Sequence, residues 1–177
     1  MLGMRLLLHR EEISEIVNRL AIQISAVYAD KPVVVVGILN GGFIFCADLI
    51  RKFQIREIRI TFIQAESYEH GSTASSGSVR ILQDINVDIQ GRDVLVVEDI
   101  LDTGLTLYKI IDHLRAKNPA SIRIVALLSK PDKRNPSLEI VESLYVGREI
   151  PNVFVVGYGT DDTDGTKRDL PDIWAKD

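Results

Sequence analysis

Val94-Leu95-Val96-Val97-Glu98-Asp99-Ile100-Leu101-Asp102-Thr103-Gly104-Leu105-Thr106 is the stretch on which the reading of this chain turns. The run Val94 to Val97 is apolar and rich in β-branched residues, which predicts a strand covered on both faces. It runs into two adjacent carboxylates and then a third. A turn of threonine and glycine follows, opening a helical pattern from about Thr106 to Lys117 with Leu107, Ile110, Ile111 and Leu114 on one face. Open parallel sheets bind ligands beyond the carboxyl ends of their strands, so Glu98 and Asp99 are placed to accept hydrogen bonds from a pair of hydroxyls such as a ribose diol. The turn Asp102, Thr103, Gly104, Leu105, Thr106 presents successive backbone amides at a helix N-terminus, and its hydroxyls add donors, a combination that suits a phosphate monoester. Helix capping alone accounts for one of Asp99, Asp102 and Thr103. It leaves unexplained three carboxylates crowded at a strand end, where they repel one another unless a cation or ligand hydroxyls compensate.

Outward from this segment the chain alternates between the two periodicities. Glu11 to Tyr28 places Ile13, Ile16, Val17, Leu20, Ile24 and Val27 at helical spacing, and Val33 to Leu39 is a second buried-strand run. Asn40-Gly41-Gly42 makes a turn, Phe43 to Phe53 reads as helix, and Ile55 to Ile63 alternates as a strand. From Glu69 to Ser78 the composition changes to Gly, Ser, Thr and His, predicting a mobile loop. Val79 to Leu82, Ile122 to Leu128 and Val153 to Tyr158 are further strands, Lys130 to Pro136 is a polar loop, and the piece from Thr160 onward is polar and irregular. The order predicts an α/β fold: a mainly parallel, doubly wound sheet flanked by helices, in one domain over residues 1–177.

Composition bounds the function. The 177 residues are 46% apolar and 26% charged, enough for one self-sufficient core. A single cysteine, Cys46, lies in an apolar stretch, which excludes a disulfide framework and predicts a cytoplasmic protein with a buried thiol. No apolar run reaches the roughly 18–20 residues of a membrane helix. A net charge of −4 gives no general attraction to polyanions, so nucleic acid is not an expected partner and phosphate must be held by local amides, selected cations or a metal. A Walker loop and a three-glycine dinucleotide fingerprint are both missing, which removes the main support for triphosphate hydrolysis and hydride transfer.

The segment Val96 to Thr106 resembles the phosphoribosyl pyrophosphate motif of the type I phosphoribosyltransferases, and within them the hypoxanthine-guanine branch. Four further segments are similar to that branch in the same order: Leu39-Asn40-Gly41-Gly42, Ser67-Tyr68 with its polar loop, Lys130-Pro131, and Phe154-Val155-Val156-Gly157-Tyr158. The resemblance implies the family fold, including a small hood built from N- and C-terminal segments. It also implies transfer of a 5-phosphoribosyl group to N9 of hypoxanthine or guanine with release of pyrophosphate.

By the same resemblance Leu39, Asn40, Gly41 and Gly42 hold pyrophosphate, with a non-proline cis peptide between Leu39 and Asn40, and Ser67, Tyr68 and Arg168 approach the same group. Asp102 handles the purine N7 proton, Lys130 donates to O6, Phe154 stacks on the base and Val155 meets its edge through the backbone. Magnesium is the implied cofactor, with Asp161 a direct ligand beside Glu98 and Asp99. The acidic run Asp161-Asp162-Thr163-Asp164 is one residue longer than the family pattern, which leaves Asp161 and Asp162 open as the ligand. The resemblance further implies a homodimer or homotetramer. An alternative reading keeps the fold as an effector sensor in a regulator that binds nucleic acid; the net negative charge and the presence of Asp102, Lys130 and Phe154 together count against it.

Overall fold

A computed structural model describes residues 3–68, 78–134 and 143–176. The elements run β1 (Met4–Leu8), α1 (Arg10–Tyr28), β2 (Val33–Leu39), α2 (Phe43–Ile50), β3 (Ile58–Tyr68), β4 (Ser78–Gln83), β5 (Asp93–Leu101), α3 (Leu105–Arg115), β6 (Ser121–Ser129), a 3-10 turn (Pro131–Lys133), β7 (Leu144–Glu149), β8 (Phe154–Val156) and β9 (Ile173–Lys176). Six strands form one sheet in the order β4-β3-β2-β5-β6-β7. All its pairings are parallel except β3 with β4.

Strand periodicity decides how the sheet is covered. On β2 and β5, Val33, Val35, Leu95 and Val97 join the core under α1 and α2, while Val34, Val36, Val94 and Val96 join the core under α3. Both faces are therefore buried, which is why these strands read as unbroken apolar runs. Helix α1 turns Ile13, Ile16, Val17, Leu20, Ala21 and Ile24 inward, and Glu12 reaches back to accept the His9 backbone N–H at 3.0 Å, closing its first turn. Cys46 is buried and unpaired, and burial pushes its thiol up to about 12.

A separate three-stranded antiparallel sheet, β1-β9-β8, forms the hood. Met4 lies opposite Lys176 and Lys176 opposite Phe154, so the two ends of the chain are stitched together beside β8. Arg10 anchors this sheet to α1: its backbone N–H and guanidinium both donate to Asp172.

Several expected boundaries are corrected. The buried strand does not stop at Val97; pairing with β6 carries β5 through Glu98 and on to Leu101, so the acids are strand residues and not loop residues. Helix α2 ends at Ile50, short of Phe53, and β3 begins at Ile58 and extends to Tyr68. The stretch from Thr160 onward is not wholly irregular, since β9 forms there against β1 and β8. Strands β1 and β7 were not expected, and most of the polar loop at 69–78 lies outside the described residues. Among the described residues no helix is long and apolar enough to cross a membrane.

Candidate active site

The parallel strands deliver three chain segments to one rim. After β2 the chain turns through Asn40, Gly41 and Gly42, with the Leu39–Asn40 peptide bond cis. The Gly42 N–H donates to Ile38 O at 3.0 Å, folding the turn back on its strand, and α2 starts immediately after it. Gly41 is in contact with the end of β5: a methyl group there would stand 1.9 Å from the Asp99 carboxylate. From the hood, Gly159 lies against the same glycine, and its Cβ would fall 2.2 Å from the Gly41 carbonyl oxygen. Gly159 has φ of +104°, a conformation side chains avoid. Two glycines thus let three strand ends touch without side chains between them.

At the end of β5 the acid pair is unbalanced. Glu98 is buried, and the Asp99 backbone N–H donates to its Oε1 at 3.2 Å. Burial, and then the neighbouring Asp99 carboxylate, push the Glu98 carboxyl well above its ordinary range. Among the described residues neither acid forms an ion pair with a lysine, arginine or histidine. This is the arrangement of a site that receives hydroxyl donors or a cation from outside the chain.

Beyond the acids, Leu101, Asp102 and Thr103 lead to Gly104, whose φ of +79° turns the chain into α3. The Thr103 hydroxyl accepts the Leu105 N–H at 3.4 Å, at the N-terminus of α3 where a helix leaves its first amides without intrahelical partners. The segment expected to cradle an anion, Asp102 to Thr106, consists of a turn over Asp102–Gly104 and the first two residues of α3, with Thr103 and Leu105 exposed.

Asp102 meets the strand next door. The Lys130 backbone N–H donates to Leu101 O at 2.9 Å, and its ammonium reaches Asp102 Oδ2 at 2.9 Å. Lys133 stands 3.6 Å from the other carboxylate oxygen, Oδ1, which is out of solvent and has no hydrogen-bond partner. Lys130 is not the solvated lysine its neighbours in sequence suggest: it is buried at the end of β6.

The hood contributes two acids of different kind. Asp162 is buried and receives the Thr163 N–H at 2.8 Å together with the ammonium groups of Lys167 and Lys176. Those cations, Lys167 first, hold its carboxyl well below the ordinary range. Asp161 keeps 39% of its side chain exposed and pairs at 2.6 Å with Arg168, whose guanidinium also donates to Gly159 O at 2.6 Å. Val155 is buried in the core under α1 and α2, whereas Phe154, the first residue of β8, is 45% exposed. Ser67 and Tyr68 lie at the end of β3, and Tyr68 is opposite Ser78 in β4.

The structure therefore joins Asp102 with Lys130, Gly41 with Asp99, and Asp161 with Arg168. Sequence reasoning missed Gly159, Lys133 and the structural use of Asp162. The signal for Gly159 was present in Gly157-Tyr158-Gly159, a glycine pair directly after a short apolar strand. Among the described residues no three His, Cys, Asp or Glu side chains converge as a metal cage. Glu98 and Asp99, with no lysine, arginine or histidine paired to them among the described residues, supply hard oxygen donors of the type magnesium takes, and a hard cation needs only one or two of these from the protein.

These features define a class, and the chain belongs to it: the family model for the phosphoribosyl transferase domain matches residues 7–163. A hypoxanthine-guanine phosphoribosyltransferase of Aquifex aeolicus is 41% identical over 172 residues, spanning 97% of this chain and 93% of that protein. The enzyme of that name from Staphylococcus epidermidis is 43% identical over 155 residues, 88% of this chain and 84% of its own. A crystal structure of a hypoxanthine phosphoribosyltransferase from Staphylococcus aureus superposes with a TM-score of 0.89 at 41% identity, covering 98% of this chain and 91% of that one. The expected mainly parallel sheet flanked by helices is borne out, and it has six strands.

Proposed function

We propose that this protein transfers the 5-phosphoribosyl group of phosphoribosyl pyrophosphate to N9 of hypoxanthine, guanine or both, forming IMP or GMP and pyrophosphate in purine salvage. The observation that carries the reading is the Glu98–Asp99 pair: two acids without a cation partner, at the end of a central strand, directly before an amide-rich turn and against a glycine loop. In this reading one domain, residues 1–177, does the whole reaction in the cytoplasm, as an assembly of two or four copies.

The bond from N9 to C1′ forms as the bond from C1′ to the pyrophosphate oxygen breaks, with positive charge developing on the ribose and negative charge on the leaving group. Glu98 and Asp99 take the ribose hydroxyls, and the Asp102–Thr106 turn takes the 5′-phosphate. Asn40, Gly41, Gly42, Ser67, Tyr68 and Arg168 receive pyrophosphate. Asp161 and the β5 acids would hold magnesium, which would supply counter-charge to the leaving group. Asp161 is the better candidate of the two hood acids because the buried Asp162 is already saturated by Lys167 and Lys176.

The unpartnered Oδ1 of Asp102 suits acceptance of the N7 proton. Lys130 leaves Asp102 to donate to the purine O6; an ammonium has no lone pair to accept from a 6-amino group, so adenine is refused. Phe154 offers the exposed ring for stacking and Val155 its backbone.

The test is a base panel: the protein with phosphoribosyl pyrophosphate, magnesium and, separately, hypoxanthine, guanine, xanthine, adenine and uracil, read as pyrophosphate release. Turnover with hypoxanthine or guanine and none with adenine or uracil is the expected result. Absence of turnover with every base, together with retention of RNA or DNA at physiological salt, overturns it in favour of the nucleic-acid regulator.

A further inference from the structure

The structure assigns Lys133 as a second cation for Asp102, a positioning residue that holds this carboxylate in place when Lys130 moves to the base; the inference rests on the proton-accepting reading of Asp102. Three observations carry it. First, the two lysines divide the carboxylate between them. Lys130 binds Oδ2 at 2.9 Å, and Lys133 stands 3.6 Å from Oδ1. Second, that 3.6 Å lies just outside hydrogen-bond range, so Oδ1 keeps its lone pair free while sitting beside a positive charge. The free lone pair is what an acceptor oxygen for a substrate N–H needs, and the neighbouring ammonium offsets the carboxylate's charge without occupying it. Third, the backbone fixes Lys133 where it is. Pro131 opens a 3-10 turn after Lys130, and the Lys133 N–H donates to Lys130 O at 3.1 Å, which brings residue 133 back over the residue it follows.

The need for a second cation comes from the first one's double duty. Lys130 is buried and serves as the counter-charge of Asp102. When its ammonium turns to a carbonyl oxygen of the base, Asp102 loses that partner in a partly buried position, where an unpaired carboxylate is penalised. Lys133 is more exposed and has no other ion-pair partner among the described residues, so it remains to hold the carboxylate with Oδ1 aimed at the base.

The test compares Lys133→Gln, Lys133→Arg and Asp102→Asn in steady-state kinetics with varied hypoxanthine and varied phosphoribosyl pyrophosphate. Lys133→Gln is expected to lower kcat about tenfold, a fraction of what a positioned acid–base group contributes, with both KM values within about twofold. Lys133→Arg, which keeps the charge, restores kcat to within about threefold of the parent. Asp102→Asn tests the underlying reading: if it keeps full turnover, that reading fails. If Asp102→Asn is inactive but Lys133→Gln has parental kcat, the Lys133 inference alone fails. It also fails if Lys133→Gln raises only the KM for phosphoribosyl pyrophosphate, which would make the lysine a phosphate contact. Failure of Lys133→Arg to rescue overturns it in favour of a packing role.

Discussion

Two acidic segments face the same rim, and they are built in opposite ways. At the end of β5, Glu98 and Asp99 have no cation partner among the described residues, and burial drives Glu98 towards its neutral form. In the loop after β8, each acid has a partner: Asp161 has Arg168, and Asp162 has Lys167 and Lys176. The first segment is destabilising until something arrives, whereas the second is stabilising as it stands. Similar composition therefore serves two ends, and what separates them is whether the fold supplies the counter-charge itself or leaves it to a ligand.

The contrast can be broken most forcefully where the two segments are held together. Gly159→Ala places a Cβ at a positive φ and 2.2 Å from a backbone oxygen that cannot swing away. A loss of about 3 kcal/mol is expected, seen as a fall in Tm of roughly 6–12 °C by calorimetry. Gly41→Ala meets instead the end of the Asp99 side chain at 1.9 Å, and a carboxylate can rotate aside. This variant should fold with a near-parental Tm, yet bind phosphoribosyl pyrophosphate roughly 10–100-fold more weakly by titration calorimetry, because the displaced acid no longer meets the diol.

Two charge-removing variants sharpen the contrast through the sign of their pH dependence. The Asp162 carboxyl is held below the ordinary range in the folded protein, so it contributes stability above the unfolded aspartate range and loses it as pH falls through the depressed value. Asp162→Asn should lower Tm at neutral pH, with the gap to the parent closing below pH ~4. Glu98 is raised, so the parent loses stability as pH climbs through the folded value. Glu98→Gln should match or slightly exceed the parental Tm at neutral pH, the difference again vanishing below about pH 4. It should also reduce the Tm gain conferred by phosphoribosyl pyrophosphate with magnesium. Equal signs for the two variants would dissolve the distinction between the segments.

The same divide explains what was legible in the sequence. Strands β2, β5 and β6 are apolar on both faces, and α1 and α3 keep strict helical spacing, so local pattern alone announced them. The acids at 98 and 99 and the turn at 102–106 were readable because their chemistry is written in consecutive residues. Strands β1 and β9 were not: they are 5 and 4 residues long, and they form because Met4 pairs with Lys176 across nearly the whole chain, so the hood they complete with β8 was implied only by the family resemblance. Nor could pattern show that Asp162 is tied to Lys176 while Asp161 stays accessible, since the partner that decides it is supplied by a strand formed at long range. Lys130 read alone as a solvated lysine for the same reason; only the β5–β6 ladder reveals that it is buried beside Asp102.

That ladder also sets a dimension. Leu101 is paired with Ser129, and the Lys130 N–H is bonded to Leu101 O, so the two residues that follow, Asp102 and Lys130, leave the sheet side by side from adjacent strands. Their backbones stand one inter-strand spacing apart, a span of about 4.8 Å fixed by main-chain pairing and not by any loop. The β5–β6 pair is in effect a caliper whose two jaws are side chains mounted on a rigid bar. Re-sizing it for a different heterocycle requires changing the reach of a jaw, by side-chain length at position 102 or 130, because the bar itself will not stretch.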